Sequence, residues 1–219
     1  MFGSQLMFVL FILFLSLSPV YGTFDQLQLV LTWPPSFCHG KPCTRIPKNF
    51  TIHGLWPDEQ HGMLNDCGET FTKLREPREK KELDDRWPDL KRSRSDAQDV
   101  QSFWEYEYNK HGTCCTELYD QAAYFDLAKN LKDKFDLLRN LKNEGIIPGS
   151  TYTVDEIAEA IRAVTQAYPN LNCVGDPQKI LELSEIGICF DRGATKVITC
   201  RRRTTCNPIN KKEISFPLN

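Results

Sequence analysis

Residues 50–58 read Phe50-Thr-Ile-His-Gly-Leu-Trp-Pro-Asp58, which places a histidine at the end of a β-branched and aromatic run. The run from Phe50 to His53 predicts a short β-strand. An earlier strand is predicted for residues 26–32, which stops at Trp33-Pro34-Pro35 and in which leucines alternate along the chain (Leu27, Leu29 and Leu31). The first part of the chain is therefore expected to supply strands.

The middle of the chain predicts helices. The aromatic-rich segment 103–114 is expected to be helical at first. Apolar residues then recur at three- and four-residue steps over residues 125–141, which predicts one amphipathic helix with Gly145 at its C-cap. Thr153 and Glu156 form the capping box of a further helix, which ends at Tyr168-Pro169.

Residues 180–199 predict two or three strands with a turn at Arg192-Gly193. Strands, then helices, then strands again indicate an α+β fold in a single domain. The segment 73–94 is rich in charge, so it is expected to be an exposed face or a long irregular loop that contributes little to the core.

The composition is that of an ordinary globular chain. The 219 residues include 27 Lys plus Arg and 29 Asp plus Glu, with a formal charge of -2 and 41% hydrophobic residues. These values exclude a disordered acidic tail and a polycation, so nucleic acid would have to bind at a local site.

The amino terminus and the cysteines indicate a secreted protein. An apolar run over residues 6–17 is too short to span a bilayer, so residues 1–22 are interpreted as a signal peptide, with a buried N-terminal helix as the alternative. We expect a soluble mature chain, residues 23–219, without a membrane span. Nine cysteines on a secretory route predict four disulfides and one leftover thiol. No Cys-x-x-Cys is present, which argues against a metal site.

Two of the four histidines lie in segments suited to chemistry. His53 and His111, brought into one cleft, would supply a general base and a general acid that work near neutral pH. Glu107 lies four residues before His111, so on a helix its carboxylate could hold and charge that imidazole. Lys110 adds a cation suited to a phosphate oxygen. The alternative is that each histidine is a solvated or core residue, as we expect for His39 and His61.

This set of groups fits RNA cleavage by the 2′-OH of the ribose, without a metal or other cofactor. One histidine removes the 2′-OH proton, the other protonates the departing 5′-oxygen, and Glu107 and Lys110 stabilise the phosphorane. DNA should be inert. A stacking face and a base-edge contact could come from Trp56, Asp58 and Phe103, whereas Trp33, Trp87 and Trp104 are expected in the core.

The chain resembles the ribonuclease T-two family and, within it, the pistil S-ribonucleases of the nightshade family that act in gametophytic self-incompatibility. The resemblance lies in the two histidine segments and in the segments 28–34, 83–90, 124–128, 145–149, 168–171 and 185–190. It implies an antiparallel sheet packed with helices, secretion, and cleavage through a 2′,3′-cyclic phosphate. It also implies His53 as proton donor, His111 as proton acceptor, and Glu107 and Lys110 as stabilisers of the transition state.

The same resemblance implies the covalent framework. The implied pairs are Cys38–Cys43, Cys67–Cys114, Cys173–Cys206 and Cys189–Cys200. Cys115 is left as a free thiol because Ala97 stands where relatives place its partner. The sequon at Asn49 is a candidate glycosylation site.

The resemblance further implies a monomer that pollen tubes take up from the style, and it places residues 69–101 where relatives carry hypervariable regions facing pollen F-box proteins. Two features support other interpretations. Tyr106 replaces a histidine of the family pattern, which leaves a catalytically weak secreted binding glycoprotein as one alternative. A sequence pI of about 6.1, in a group of basic proteins, leaves a non-allelic S-like or relic ribonuclease for defence or phosphate scavenging as another.

Overall fold

A computed structural model describes residues 24–60, 62–176, 178–202, 204–207 and 213–218. The predicted signal peptide and His61 lie outside the described residues. The elements in chain order are β1 Gln26–Thr32, α1 Pro34–Cys38, β2 Thr51–Glu59, β3 Gly62–Met63, α2 Pro77–Asp84, α3 Arg94–Val100, α4 Ser102–Lys110, a short 3-10 turn Gly112–Cys115, α5 Gln121–Phe135, α6 Leu137–Asn143, β4 Ser150–Thr153, α7 Val154–Thr165, β5 Asn170–Val174, β6 Glu182–Asp191, β7 Val197–Ile198 and β8 Glu213–Phe216.

One twisted sheet organises the fold. Its strand order is β3-β2-β1-β6-β8-β4, and β5 and β7 also pair with β6. The predicted α+β fold is confirmed: the pairings are antiparallel, as the resemblance implied, apart from one parallel contact between β6 and β8. Thr32 on β1 is aligned with Thr51 on β2 and with Glu185 on β6. This register brings the histidine end of β2 close to the middle of β6.

The strand predictions for the first part of the chain are confirmed, with one extension. β1 has the predicted bounds, and all seven of its residues are buried. β2 continues beyond His53 to Glu59, so Trp56 and Asp58 lie on a strand. Two strands, β6 and β7, occupy the segment predicted to hold two or three, and turn residues 192–196 connect them.

The helix predictions are confirmed for α4 and α7 and corrected between them. Thr153 accepts a hydrogen bond from the Glu156 backbone at 3.1 Å and donates its own N–H to the Glu156 carboxylate at 2.7 Å, which completes the capping box of α7. The single helix predicted over residues 125–141 is wrong. The structure has two helices, separated at Asp136, whose backbone leaves the helical region at φ 13° and ψ 66°. Both helices turn apolar faces to one core, so the apolar spacing continues across the break.

The prediction for residues 73–94 is confirmed in that much of this segment is exposed, but it is wrong about the core. Helix α2 occupies part of this segment, and Leu83, Trp87 and Leu90 are buried in the core. Leu83 and Trp87 lie four residues apart, so both turn inward, and Asp84 beside them is buried as well, where its carboxylate pairs with Arg45 and Arg94. The core prediction for Trp33, Trp87 and Trp104 is confirmed, since each is at most 2% exposed.

Four disulfides fasten this single domain. They join Cys38 to Cys43, Cys67 to Cys114, Cys173 to Cys206 and Cys189 to Cys200, which are the pairs that the resemblance implies. Cys115 is the free cysteine of the described residues and is fully buried. None of the described helices has the length and apolar character that crossing a bilayer requires.

Candidate active site

His53 lies at the mouth of a cleft, on strand β2, between two carboxylates. Its Nδ1 is 2.6 Å from Glu185 Oε1, and its Nε2 is 3.7 Å from Glu107 Oε1. Burial and the Lys110 charge lower the pKa of His53, but the hydrogen bond and charge of Glu185, with the charge of Glu107, outweigh them, and the pKa is raised above 6.5. The site therefore favours the protonated form of the His53 imidazole.

Glu107 supports the other side of this imidazole from helix α4. Its side chain is almost fully buried, and its Oε2 accepts a hydrogen bond from the Trp56 indole N–H at 3.3 Å. Burial raises the pKa of this carboxyl group, although His53, Trp56 and Lys110 oppose the effect. The prediction that Glu107 holds and charges His111 is wrong. The last turn of α4 directs Glu107 toward β2, whereas His111 follows the helix and leaves its regular geometry.

His111 occupies the opposite electrostatic environment. Its ring lies 5.3 Å from the Trp56 ring at a tilt of 31°, and the residue is 4% exposed. Burial, together with the positive charges of Lys110, Arg202 and His53, lowers the pKa of His111 to about 3, and a backbone hydrogen bond with Leu64 opposes this only weakly. The imidazole is consequently neutral over the range in which His53 is charged.

Lys110 and Tyr106 form the solvent side of the site. The Lys110 ammonium donates a hydrogen bond to the Tyr106 hydroxyl at 3.1 Å and lies 5.3 Å from the centre of that ring. Tyr106 is exposed. An ammonium in this position is available to an anionic oxygen that enters the cleft.

The cleft itself has a volume of ≈ 550 Å³. One wall carries His53, Glu107 and Phe103, and the Phe103 ring lies 6.4 Å from the His53 ring with the two planes nearly parallel at 29°. Phe37 and residues 88–92 also line the cleft. Phe103 is therefore placed beside the predicted reaction centre, with a face suited to a base.

Trp56 and Asp58 differ from the sequence prediction. The Arg202 guanidinium lies 4.7 Å from the centre of the Trp56 ring, so it covers part of the surface expected to stack on a base. Asp58 is 3% exposed, and its two oxygens accept hydrogen bonds from Arg202 at 2.9 and 2.5 Å, with a further bond from Gln26 at 3.2 Å. A carboxylate with both oxygens bound inside the protein does not offer a base-edge contact, so Asp58 fixes Arg202 instead.

Two residues of the site were not found from the sequence. Glu185 is on β6, more than 130 residues after His53, and only the sheet register brings them together. Arg202 follows β7 in a basic run that composition alone would place in solvent. The available signal for Glu185 was a carboxylate directly before the apolar run 186–190 of the strand. Among the described residues, no group of three His, Cys, Asp or Glu side chains is close enough together to hold a metal ion.

A buried carboxylate, a lysine and two histidines of opposite electrostatic character, gathered beside a cleft on a disulfide-bonded α+β scaffold, define an acid–base site for phosphodiester chemistry. The comparisons with known proteins agree. The family model described as the ribonuclease T2 family matches residues 24–200. The chain therefore belongs to the ribonuclease T2 family, and it is an endoribonuclease whose substrate is RNA.

Individual relatives refine the comparison. Ribonuclease S-7 of Nicotiana alata is 52% identical over 221 residues, which cover 99% of this chain and 100% of the relative. Ribonuclease S-3 of Petunia hybrida is 46% identical, and 99% of each chain is covered. The crystal structure of the SF11-RNase of Nicotiana alata, associated with gametophytic self-incompatibility, superimposes with a TM-score of 0.84 at 43% identity and covers 89% of this chain and 100% of its own. Ribonuclease MC1 from bitter gourd seeds gives a TM-score of 0.76 at 30% identity, with 88% and 100% covered.

Proposed function

We propose that the protein cleaves RNA by transesterification from the 2′-OH to a 2′,3′-cyclic phosphate, with His111 as the base and His53 as the acid. The observation that carries the proposal is the contrast between the two imidazoles that flank Trp56. His53 lies between two carboxylates, whereas His111 is buried among positive charges. Two groups whose pKa values are displaced in opposite directions are suited to give and take protons at the same pH.

In the first half of the reaction, neutral His111 accepts the 2′-OH proton as the 2′-oxygen attacks phosphorus. A histidine with a pKa of about 3 is already unprotonated at any mildly acidic pH. The base is therefore available without prior deprotonation.

In the second half, protonated His53 donates to the departing 5′-oxygen as the P–O5′ bond breaks. Lys110 compensates the charge that grows on the non-bridging oxygens, and Glu107 holds the Nε2 side of His53 from within the protein. Phe103 offers a face on which a neighbouring base stacks. A substrate without the 2′-OH lacks the attacking nucleophile, so DNA should resist cleavage.

A substrate with sulfur in place of the 5′-bridging oxygen tests which histidine is the acid, because a thiolate leaves without being protonated. We expect His53→Ala to lose activity on the normal diester and regain it on the sulfur substrate. His111→Ala should be inactive on both. Recovery of His111→Ala instead would reverse the roles, and full activity of either variant on the normal diester would refute the mechanism.

The chain offers a matched control at His39. This histidine also binds a carboxylate, since its Nδ1 is 2.8 Å from Glu182 Oε1, but it is exposed and does not line the cleft. His39→Ala should keep the wild-type rate on both substrates. The released fragments should carry 2′,3′-cyclic phosphate ends, and fragments with 3′-phosphate ends alone from the earliest time points would contradict the cyclising step.

For the biological role, we propose a secreted style protein that degrades RNA in self pollen tubes after uptake. The similarity to ribonucleases named S-7 and S-3, and to a structure described as associated with gametophytic self-incompatibility, supports this role. Four disulfides fit an oxidising compartment, and cleavage after residue 22 would remove the amino-terminal apolar run. The charged surface of α2 and α3, within residues 69–101, is the face that we propose for pollen F-box proteins.

Expression and genetics test this role separately from the chemistry. We expect transcripts confined to the style, a mature amino terminus at Thr23, and alleles that co-segregate with rejection of self pollen. Expression throughout the plant, or one sequence shared by all individuals, would support the S-like or relic ribonuclease instead. A correctly folded protein that does not cleave RNA would support the alternative of a secreted binding glycoprotein.

A further inference from the structure

Glu185 lies on strand β6 and His53 lies on strand β2, and β1 is the strand between them. Thr32 on β1 is aligned with Glu185, and its neighbour in β2 is Thr51, two residues before His53. The side chains of His53 and Glu185 meet across β1, with Nδ1 and Oε1 2.6 Å apart. The distance is that of a strong, charge-assisted hydrogen bond.

The carboxylate is itself held on several sides. Thr32 donates its hydroxyl to Oε1 at 3.4 Å, and the Asn172 amide donates to Oε2 at 3.4 Å. Burial raises the pKa of Glu185, but the hydrogen bond and charge of His53, with the two neutral donors, outweigh burial and lower it overall. Glu185 is therefore an ionised group fixed within the sheet.

We propose that Glu185 is a positioning residue for RNA cleavage, because its carboxylate holds the Nδ1–H of His53 and leaves Nε2 as the nitrogen that donates to the substrate. This inference rests on the proposed role of His53 as proton donor. The Nε2 proton goes to the 5′-oxygen as the P–O5′ bond breaks and the P–O2′ bond forms. The proton on Nδ1 of the neutral imidazole stays there, hydrogen-bonded to the Glu185 carboxylate, and Nε2 takes a new proton from water before the next cycle.

Other charges face the same imidazole. Glu107 and Lys110 approach from α4, and His111 follows that helix. Apart from His53 and Glu107, the charged residues that line the cleft are Asp89, Lys91 and Arg92. Of all these groups, Glu185 makes the short contact to His53, so its charge should have the largest favourable effect on the protonated ring.

The test compares Glu185→Gln with the wild type in the pH dependence of kcat/KM on a normal diester and on the 5′-sulfur substrate. We expect the alkaline limb of the kcat/KM profile to move about 1–3 pH units toward acid, because loss of an adjacent negative charge lowers the pKa of His53 by that amount. Above the new limb, the rate on the normal diester should fall at least ~10-fold, and the sulfur substrate should restore it. A uniform loss on both substrates without a shifted limb would overturn the proposal.

Two further variants keep the test interpretable. Glu182→Gln removes a carboxylate from the same strand that also binds a histidine, His39, outside the cleft, and it should leave the profile unchanged. Glu185→Asp keeps the charge but shortens the side chain, so its limb should lie closer to the wild type than that of Glu185→Gln. A limb as far displaced in Glu185→Asp as in Glu185→Gln would contradict a role for the charge.

An NMR titration of the His53 ring separates this inference from the proposed function. The wild-type ring should titrate above 6.5 and the Glu185→Gln ring lower, whether or not RNA is cleaved. If the ring shifts but sulfur fails to rescue His53→Ala, the proton-donor role fails while the Glu185 contact stands. If the ring does not shift, the role of Glu185 is refuted.

Discussion

One methyl group at Gly54 should disable the active site. Gly54 follows His53 on β2 and packs against the hydrogen bond from Trp56 to Glu107. A Cβ atom at this position would be 2.1 Å from Trp56 Nε1 and 2.5 Å from Glu107 Oε2, where ordinary contacts begin at 3.4 Å. Gly54→Ala therefore forces both the indole and the carboxylate to move by roughly 1 Å, which should disturb their hydrogen bond.

The expected effect on rate is larger than the effect on folding. Trp56 contacts both imidazoles, at ring distances of 5.1 Å from His53 and 5.3 Å from His111, so its displacement disturbs the acid and the base together. A shift of this size costs about 100-fold in kcat/KM. Overpacking should lower the free energy of unfolding by about 1–3 kcal/mol, which leaves the protein folded at room temperature.

Gly62→Ala is the matched control, because a Cβ atom at Gly62 meets nothing within 4 Å. Steady-state cleavage of a short RNA and thermal unfolding should be measured for both variants. We expect Gly62→Ala to match the wild type in both. If Gly54→Ala keeps wild-type kcat/KM, or loses activity only in proportion to its unfolded fraction, the close packing of Gly54, Trp56 and Glu107 does not control the chemistry.

The remaining predictions concern protonation, a buried ion pair and the thiol. The rate should rise as pH passes the His111 pKa of about 3, stay level from about pH 4, and fall above 6.5 as His53 loses its proton; a profile with its maximum in alkaline solution would contradict these roles. Below pH 6.5 the unfolded chain binds a proton that folded His111 excludes, so acid from pH 6.5 toward 3 should destabilise the fold through this group by up to roughly 5 kcal/mol, measured by denaturant unfolding. Arg202→Ala should lower the free energy of unfolding by about 3 kcal/mol, because Asp58 is left buried and unpaired, and Arg202→Ala combined with Asp58→Asn should recover part of the loss. Cys115, whose pKa burial raises to about 12, should react with a thiol reagent only after denaturation, and reaction in the native state would contradict its burial.

Local sequence signals predicted the elements that depend on local physics. The alternating leucines of β1 and the capping box of α7 act through neighbouring residues, and both are present in the structure. The break at Asp136 was missed because apolar periodicity reports which face meets the core and does not report whether the helix is continuous. Helix α2 was missed because most of its residues are charged. A single buried apolar residue, Leu83, attaches it to the core, and one residue gives no periodic signal.

The class of chemistry and the residues that could perform it are readable in the sequence, since His53, His111, Glu107 and Lys110 are recognisable from their type and their surrounding motifs. How these groups act on one another depends on the fold. In the folded chain, Glu107 lies beside His53 instead of His111. Glu185 contacts Nδ1 of His53, the proposed acid, and the Arg202 guanidinium lies over the Trp56 ring. The physical reason is that a pKa depends on burial and on charges within a few ångströms, and those distances are set by the register of distant strands.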